Sequence, residues 1–197
     1  MTNVIITIGR EYGSGGREIG EKLAKELGFS FYDKDLLKIV AEKSGIQEQV
    51  LLKADEAASN PLFAPYYPPS IDPGSLNDRV FKMQAELIKE KAASENCVIV
   101  GRCGNYILED MENAIHVFIY ADEEAKIVRT MERHQLNRDE ATKRMKKIDK
   151  QRRAYYQYYT EWRWARTEGF DIMLNSSKLG IYATVAAIKT LVEAKMK

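Results

Sequence analysis

Residues 4–28 read VIITIGREYGSGGREIGEKLAKELG, and the order of their parts decides the fold. Val4–Ile8 is a compact, largely β-branched run, which predicts a buried first strand. Residues 9–16 hold four glycines, Gly9, Gly13, Gly15 and Gly16. From about Gly16 to Leu27, Ile19, Leu23 and Leu27 recur at helical spacing, and Gly28 closes the helix. Strand, glycine turn and helix in this order aim backbone N–H groups and the positive end of a helix dipole at one spot, which favours an anion. Lacking Cβ atoms, the glycines let that anion approach the backbone. Arg17 opens the helix, where the dipole alone favours an acid. A cation fits there when an anion lies between the two.

The loop departs from the Walker pattern G-x-x-x-x-G-K-[ST]. With Gly16-Arg17 on the Gly-Lys pair, the first glycine falls on Glu11 and the hydroxyl on Glu18. The bland alternative is a turn that only connects strand to helix. A dinucleotide site fits less well. Asp33 lies where a ribose-binding acid would sit, but the G-x-G-x-x-G frame from Gly13 ends on Glu18. No Tyr-x-x-x-Lys pair supports an oxidoreductase either.

Outward from this segment, short apolar runs alternate with helical stretches, the pattern of an α/β domain with a mostly parallel sheet. Phe29–Tyr32, Cys97–Gly101, Ala114–Tyr120 and Phe170–Leu174 are the further strand candidates. Helices are expected at Asp35–Lys43, Gln47–Ala58, Ser75 to about Ala93, Glu123–Gln135, Asp139–Trp162 and Ile181–Lys195. Residues 59–75 hold all five prolines and read as a loop with a functional or mobile role. The 197 residues suit one domain. The net charge of +1 offers no general field for nucleic acid or an anionic membrane. No apolar run approaches the roughly 20 residues that span a bilayer. No secretion signal is read at the N-terminus, and Cys97 and Cys103 make no disulfide framework, so a cytoplasmic location is expected. His116 and His134 lack partners at metal-ligand spacing.

Two arginines stand out beyond the loop. Arg102 follows the third strand at the sheet edge where such folds bind ligands, and its guanidinium can grip phosphate as a fork. On the helix from Asp139, Ala141, Met145, Ile148, Tyr155 and Tyr159 form an apolar stripe whose missing position is Arg152. A charge there needs a partner, either an incoming phosphate or a core carboxylate. Arg129 and Arg133 share a face of the preceding helix. Tyr155, Tyr156, Tyr158, Tyr159, Trp162 and Trp164 are read chiefly as packing.

Three segments carry a resemblance: ITIGREYGSGGREIGEKLAKELGFSFYDKDLL, the central VIVGRCGNYIL, and DKQRRAYYQYYTEW followed by FDIMLNSSKLG. In sequence and in order they resemble the cytidylate-kinase-like family of P-loop nucleoside monophosphate kinases. The resemblance implies one three-layer α/β P-loop domain over residues 1–197, with five parallel strands, a small acceptor-binding insertion at about 35–78 and a helical lid at about 133–165. It implies transfer of the ATP γ-phosphate to a nucleoside monophosphate, CMP being the first expectation, with Mg2+. Gly13, Ser14, Gly15, Gly16, Arg17 and Glu18 would hold ATP. Glu18 stands where a hydroxyl ligates magnesium; it would bind the ion itself or pair with Arg17. Gly101, Arg102, Asp149 and Arg152 would hold the acceptor, although Cys103 replaces the family's acid. Asp33 would position a ribose or the acceptor, the alternative being that Asp33 or Asp35 caps a helix. Arg17, Arg133 and Arg152 are the catalytic candidates, with Arg138 close behind Arg133. The expected partners are small-molecule nucleotides, with neither nucleic acid nor membrane, in a monomer or homodimer. A nucleotide-binding sensor and a kinase of another small acceptor remain alternatives.

Overall fold

The computed structural model describes residues 3–33, 35–58 and 75–196. Five strands form one parallel sheet: β1 (Ile5–Arg10), β2 (Ser30–Tyr32), β3 (Cys97–Val100), β4 (Ala114–Tyr120) and β5 (Ile172–Asn175). Their order is β2-β3-β1-β4-β5. The helices are α1 (Gly16–Leu27), α2 (Asp35–Ser44), α3 (Glu48–Ala58), α4 (Leu76–Ser94), α5 (Gly104–Ile107), α6 (Glu123–His134), α7 (Arg138–Thr160), α8 (Ser176–Leu179) and α9 (Ile181–Lys195).

The sheet is covered on both faces, as parallel sheets generally are. Alternation sorts the strand residues. Ile6, Ile8, Val98, Val100, Val117 and Ile119 pack with Ile19 and Leu23 of α1 and with Val185, Ile188 and Val192 of α9. Ile5, Cys97 and Ile99 face the other way, onto Leu36, Val40, Leu51, Leu87 and Ile88 of α2–α4 and onto Tyr155 and Tyr156 of α7. After β1 the chain builds one side of the sheet, and after β3 it crosses to the other. The carboxyl ends of β1 and β3 therefore border the crevice where open α/β sheets place ligands.

β4 matches the sequence reading residue for residue. β1 runs two residues further than expected, because Gly9 and Arg10 still pair with Phe118 and Ile119. β5 starts later, at Ile172; Phe170 turns its ring onto Phe118, with centroids 5.0 Å apart. α7 stops at Thr160, where Glu161 adopts a left-handed φ of 59°, so Trp162 lies beyond the helix. The four-residue helices α5 and α8 are too short to show a period in sequence. Ser75 caps α4, its Oγ accepting the Asp78 N–H at 3.2 Å. The rest of the expected 59–75 loop lies outside the described residues.

Candidate functional site

Between β1 and α1 the glycine loop turns on two left-handed residues, Gly13 (φ 78°) and Gly15 (φ 81°). A Cβ on Gly13 would lie 2.7 Å from the Lys126 carbonyl oxygen, and one on Gly15 would lie 2.6 Å from Ile181 Cδ1. The loop is fixed from inside and outside. The buried Ser14 hydroxyl donates to the Glu11 carbonyl at 2.8 Å, and Ser176 of α8 donates to the Ser14 carbonyl. Arg129 of α6 donates to the Gly13 carbonyl at 2.6 Å, and Lys126 pairs with Glu11 at 2.8 Å. The Tyr12 N–H donates to Asp149 of α7 at 2.8 Å. Its ring stacks on His134, and its hydroxyl meets His134 Nε2 at 2.7 Å and accepts from Arg144 Nε at 2.9 Å.

Beside the loop, at the ends of β1 and β3, arginines and carboxylates are interleaved. Arg17 donates from Nε to Asp33 at 2.8 Å and from Nη1 to Glu21 at 3.1 Å. These partners raise the pKa of Arg17, the Asp33 hydrogen bond most of all. Asp33 is buried and lies 3.7 Å from Arg10 as well. Arg152 donates to the Arg10 carbonyl at 3.1 Å and to Asp149 at 3.3 Å, with its guanidinium 5.6 Å from the centre of the Tyr12 ring. Burial lowers the pKa of Arg152 against the pull of Asp149, and burial also raises the carboxyl of Asp149.

Arg102 is clamped by Asp55 of α3. Burial works against its charge, but Asp55 and Tyr155 outweigh it and hold the guanidinium firmly protonated. Backbone geometry delivers Arg102 to this place. Gly101, Arg102 and Cys103 are three successive left-handed residues, with φ of 80°, 55° and 54°. Each non-glycine residue so placed costs about 1–2 kcal/mol, and such strain gathers where surrounding structure and function both demand it. Hydrogen bonds from Gly101 N to the Ile8 carbonyl and from Gly104 N to the Gly101 carbonyl, both 3.0 Å, hold the turn. Cys103 points into the core, where burial pushes its thiol far above the ordinary range. It supplies packing at the position where the resemblance places an acid.

The cytidylate kinase-like family matches residues 5–178. The chain belongs to this family. It is also 31% identical to an uncharacterized protein from Eubacterium ventriosum ATCC 27560, covering 97% of this chain and 99% of that one with a TM-score of 0.74. The fold is shared more widely. A shikimate kinase from Bacteroides thetaiotaomicron superposes with a TM-score of 0.57 at 15% identity, over 96% of this chain and 98% of that one. A gluconokinase from Sinorhizobium meliloti 1021 gives 0.51 at 15% identity, over 98% and 95%. No curated protein matches the chain. Fold and family together are those of a P-loop, kinase-like protein.

For this cytidylate kinase-like chain the structure brings together Arg17, Asp33, Gly101, Arg102, Asp149 and Arg152 at one edge, beside the glycine loop. Arg133 stands apart: it is exposed on α6, and it is Arg129, one turn earlier, that touches the loop. Arg138 pairs with Glu124 at the surface. Glu18 pairs with Lys22 at 3.7 Å instead of Arg17, which corrects that alternative. Asp33 spends its carboxylate on arginines and does not serve as a side-chain cap. Sequence reasoning misses Arg10, Tyr12 and Asp55. Arg10 had a usable signal: it continues the Ile6, Ile8 alternation of a buried strand with a charge. Asp55 had none, since its partner lies 47 positions away.

Magnesium finds no protein cage here, for no group of three or more His, Cys, Asp or Glu among the described residues is arranged to hold a metal. That suits an ion which commonly binds through one or two carboxylates and substrate phosphates. Glu18, the acidic residue in the first turn of α1, is half exposed.

Proposed function

We propose that this protein is an ATP-dependent nucleoside monophosphate kinase whose preferred acceptor is CMP. The observation that carries the reading is the set of guanidiniums at the carboxyl ends of β1 and β3, directly beside a loop whose backbone is shaped for phosphate. Phosphoryl transfer asks little covalent chemistry of a protein and depends on alignment and charge neutralisation. In this reading the N–H groups of residues 13–18 and the Arg17 side chain bind the ATP phosphates. Arg102 and Arg152 fork the acceptor phosphate and hold it in line. Asp149, on the loop N–H of Tyr12, sets the distance between loop and α7. Arg129, on the loop, would face the transferring group, and Arg133, exposed one turn further along the same helix, would reach it once the lid has closed. Magnesium, when bound with ATP, would neutralise donor phosphate charge, with Glu18 among its ligands. Residues 35–78 act as the acceptor-binding insertion and 133–165 as the lid. Among the described residues no helix is long and apolar enough to cross a membrane, and the reading places small nucleotides as partners of a cytoplasmic enzyme.

One observation favours a second reading, a nucleotide-binding module that no longer transfers phosphate: the Arg17 side chain is already engaged by Asp33 and Glu21. Coupled ADP release with CMP, UMP, AMP and GMP separates the two. CMP is expected to be the best acceptor. Arg152→Ala should lower kcat/KM for it by about 10²-fold with ATP affinity little changed. Arg17→Ala should weaken ATP binding, read by calorimetry, by about 1.5–3 kcal/mol. If none of the four is phosphorylated, the kinase reading for nucleoside monophosphates is wrong.

A further inference from the structure

Arg10 is not among the residues that sequence reasoning singles out, yet among the described residues it is a largely buried cation with no carboxylate within hydrogen-bonding distance. Its side chain is only 20% exposed, and among the described residues its nearest carboxylate, Asp33, is 3.7 Å away, beyond hydrogen-bonding reach. That same carboxylate is hydrogen-bonded by Arg17 at 2.8 Å, so Arg10 receives the weaker share. Its other charged neighbours are Arg152, Arg102 and Asp149. Asp149 is taken by Arg152 and by the Tyr12 N–H, and Arg102 has Asp55. Arg10, Arg17, Arg102 and Arg152 thus share Asp33, Asp55 and Asp149, and the one further carboxylate, the exposed Glu21, serves Arg17. The unmet charge falls on Arg10, whose pKa is pushed down to about 9, first by burial and then by Arg152. A buried arginine in this condition is costly unless something else supplies the missing negative charge.

Its placement is as specific as its charge. The guanidinium lies directly against Gly101, where a Cβ would come within 1.9 Å of Nη1. The strained turn that presents Arg102 therefore also leaves room for Arg10 beneath it. Arg152 donates to the carbonyl of the same residue. Three arginines from three segments, β1, the turn after β3, and α7, come together at the crevice.

We propose that Arg10 is a third arm of the acceptor site, binding an oxygen of the acceptor's anionic group between Arg102 and Arg152 and so selecting a dianionic phosphate monoester over a neutral alcohol or a monocarboxylate. This rests on the kinase reading and deepens it, since it states which chemical class the acceptor must carry. Its consequence for geometry is simple. Two forks can hold two oxygens of a carboxylate or a phosphate, and a third guanidinium supplies a donor for the third terminal oxygen that a phosphate monoester has and a carboxylate lacks.

The test is a titration of wild type, Arg10→Lys and Arg10→Met with CMP and with cytidine. Saturating ADP is present so that the glycine loop is already filled. Wild type is expected to bind CMP at least tenfold more tightly than cytidine. Arg10→Met should lose about tenfold or more of its CMP affinity and leave cytidine affinity unchanged. Arg10→Lys, which keeps the charge but not the fork, should fall between. Should the variants fail to fold, the wild-type Arg10 Nε–H NMR signal decides: it must shift on CMP addition and stay still on cytidine addition. Unchanged CMP affinity in Arg10→Met, or an Arg10 signal that ignores CMP, overturns the proposal. If CMP is phosphorylated normally by Arg10→Met, the inference fails while the kinase reading stands. If CMP binds through Arg10 but no monophosphate is phosphorylated, the reverse holds.

Discussion

The glycine loop and the arginine edge lie side by side and are built on opposite principles. The loop is made of backbone. Its shape comes from left-handed glycines and from carbonyls held by Arg129 and Ser176. The edge is made of side chains, with guanidiniums held apart by carboxylates from the residue after β2, from α3 and from α7. A backbone site is set once the chain has folded and costs little to keep empty. A side-chain site stores buried charge, and each member depends on its partner. The two regions should therefore fail differently when altered.

The largest effect is expected at the pair Arg102 and Asp55, whose side chains are 18% and 11% exposed. Arg102→Ala takes away the guanidinium that Asp55 grips in a largely buried pair and should cost about 3 kcal/mol of stability in urea denaturation. The double variant Arg102→Leu with Asp55→Leu should recover a large part of that loss. If the single substitution costs under 1 kcal/mol, the edge does not store charge as described.

Gly101 belongs to both regions, because a backbone requirement there serves a side chain. Gly101→Ala meets a left-handed φ and the Arg10 guanidinium at once, and should cost about 2–3 kcal/mol. Gly28→Ala is the comparison: its φ of 69° is also left-handed, but nothing lies within 4 Å of the added Cβ. It should cost about 1 kcal/mol. Equal losses at the two sites would show that the contact with Arg10 contributes nothing.

The smallest effect lies under both regions. Thr7 of β1 and His116 of β4 share a hydrogen bond of 2.8 Å, and burial pushes the imidazole below its ordinary range. The unfolded chain takes up this proton near pH 6.5, while the folded chain takes it up only at lower pH. Between those points the unfolded state binds more protons, so stability falls as pH falls. His134, also pushed down, adds in the same direction. His116→Gln should flatten the decline of Tm between pH 7 and pH 5. An unchanged slope would mean that the titrating group lies elsewhere.

The same contrast explains what the sequence discloses. The loop is legible because strand, glycines and helix are contiguous, and the sheet is legible because its strands are short apolar runs between helices. Arg102 and Arg152 are legible because each breaks a local pattern, one at a strand end and one on an apolar stripe. Asp55, Tyr12 and Arg10 are not, since their meaning comes from partners brought together by tertiary packing. Arg129 and Arg133 show the limit of periodicity. Both occupy one helical face, but only the packing of α6 against the loop decides that Arg129 is the one in contact.

The sheet's two borders have a consequence of another kind. β2 has three residues and β5 has four, and on β2 the Ser30 and Tyr32 hydroxyls are both tied to Glu95. A foreign strand arriving at either border would find a ladder only three or four residues long. Brief borders of this sort are a protection against edge-to-edge aggregation. The longer strands β1 and β4, rich in isoleucine and valine, are kept in the middle of the sheet.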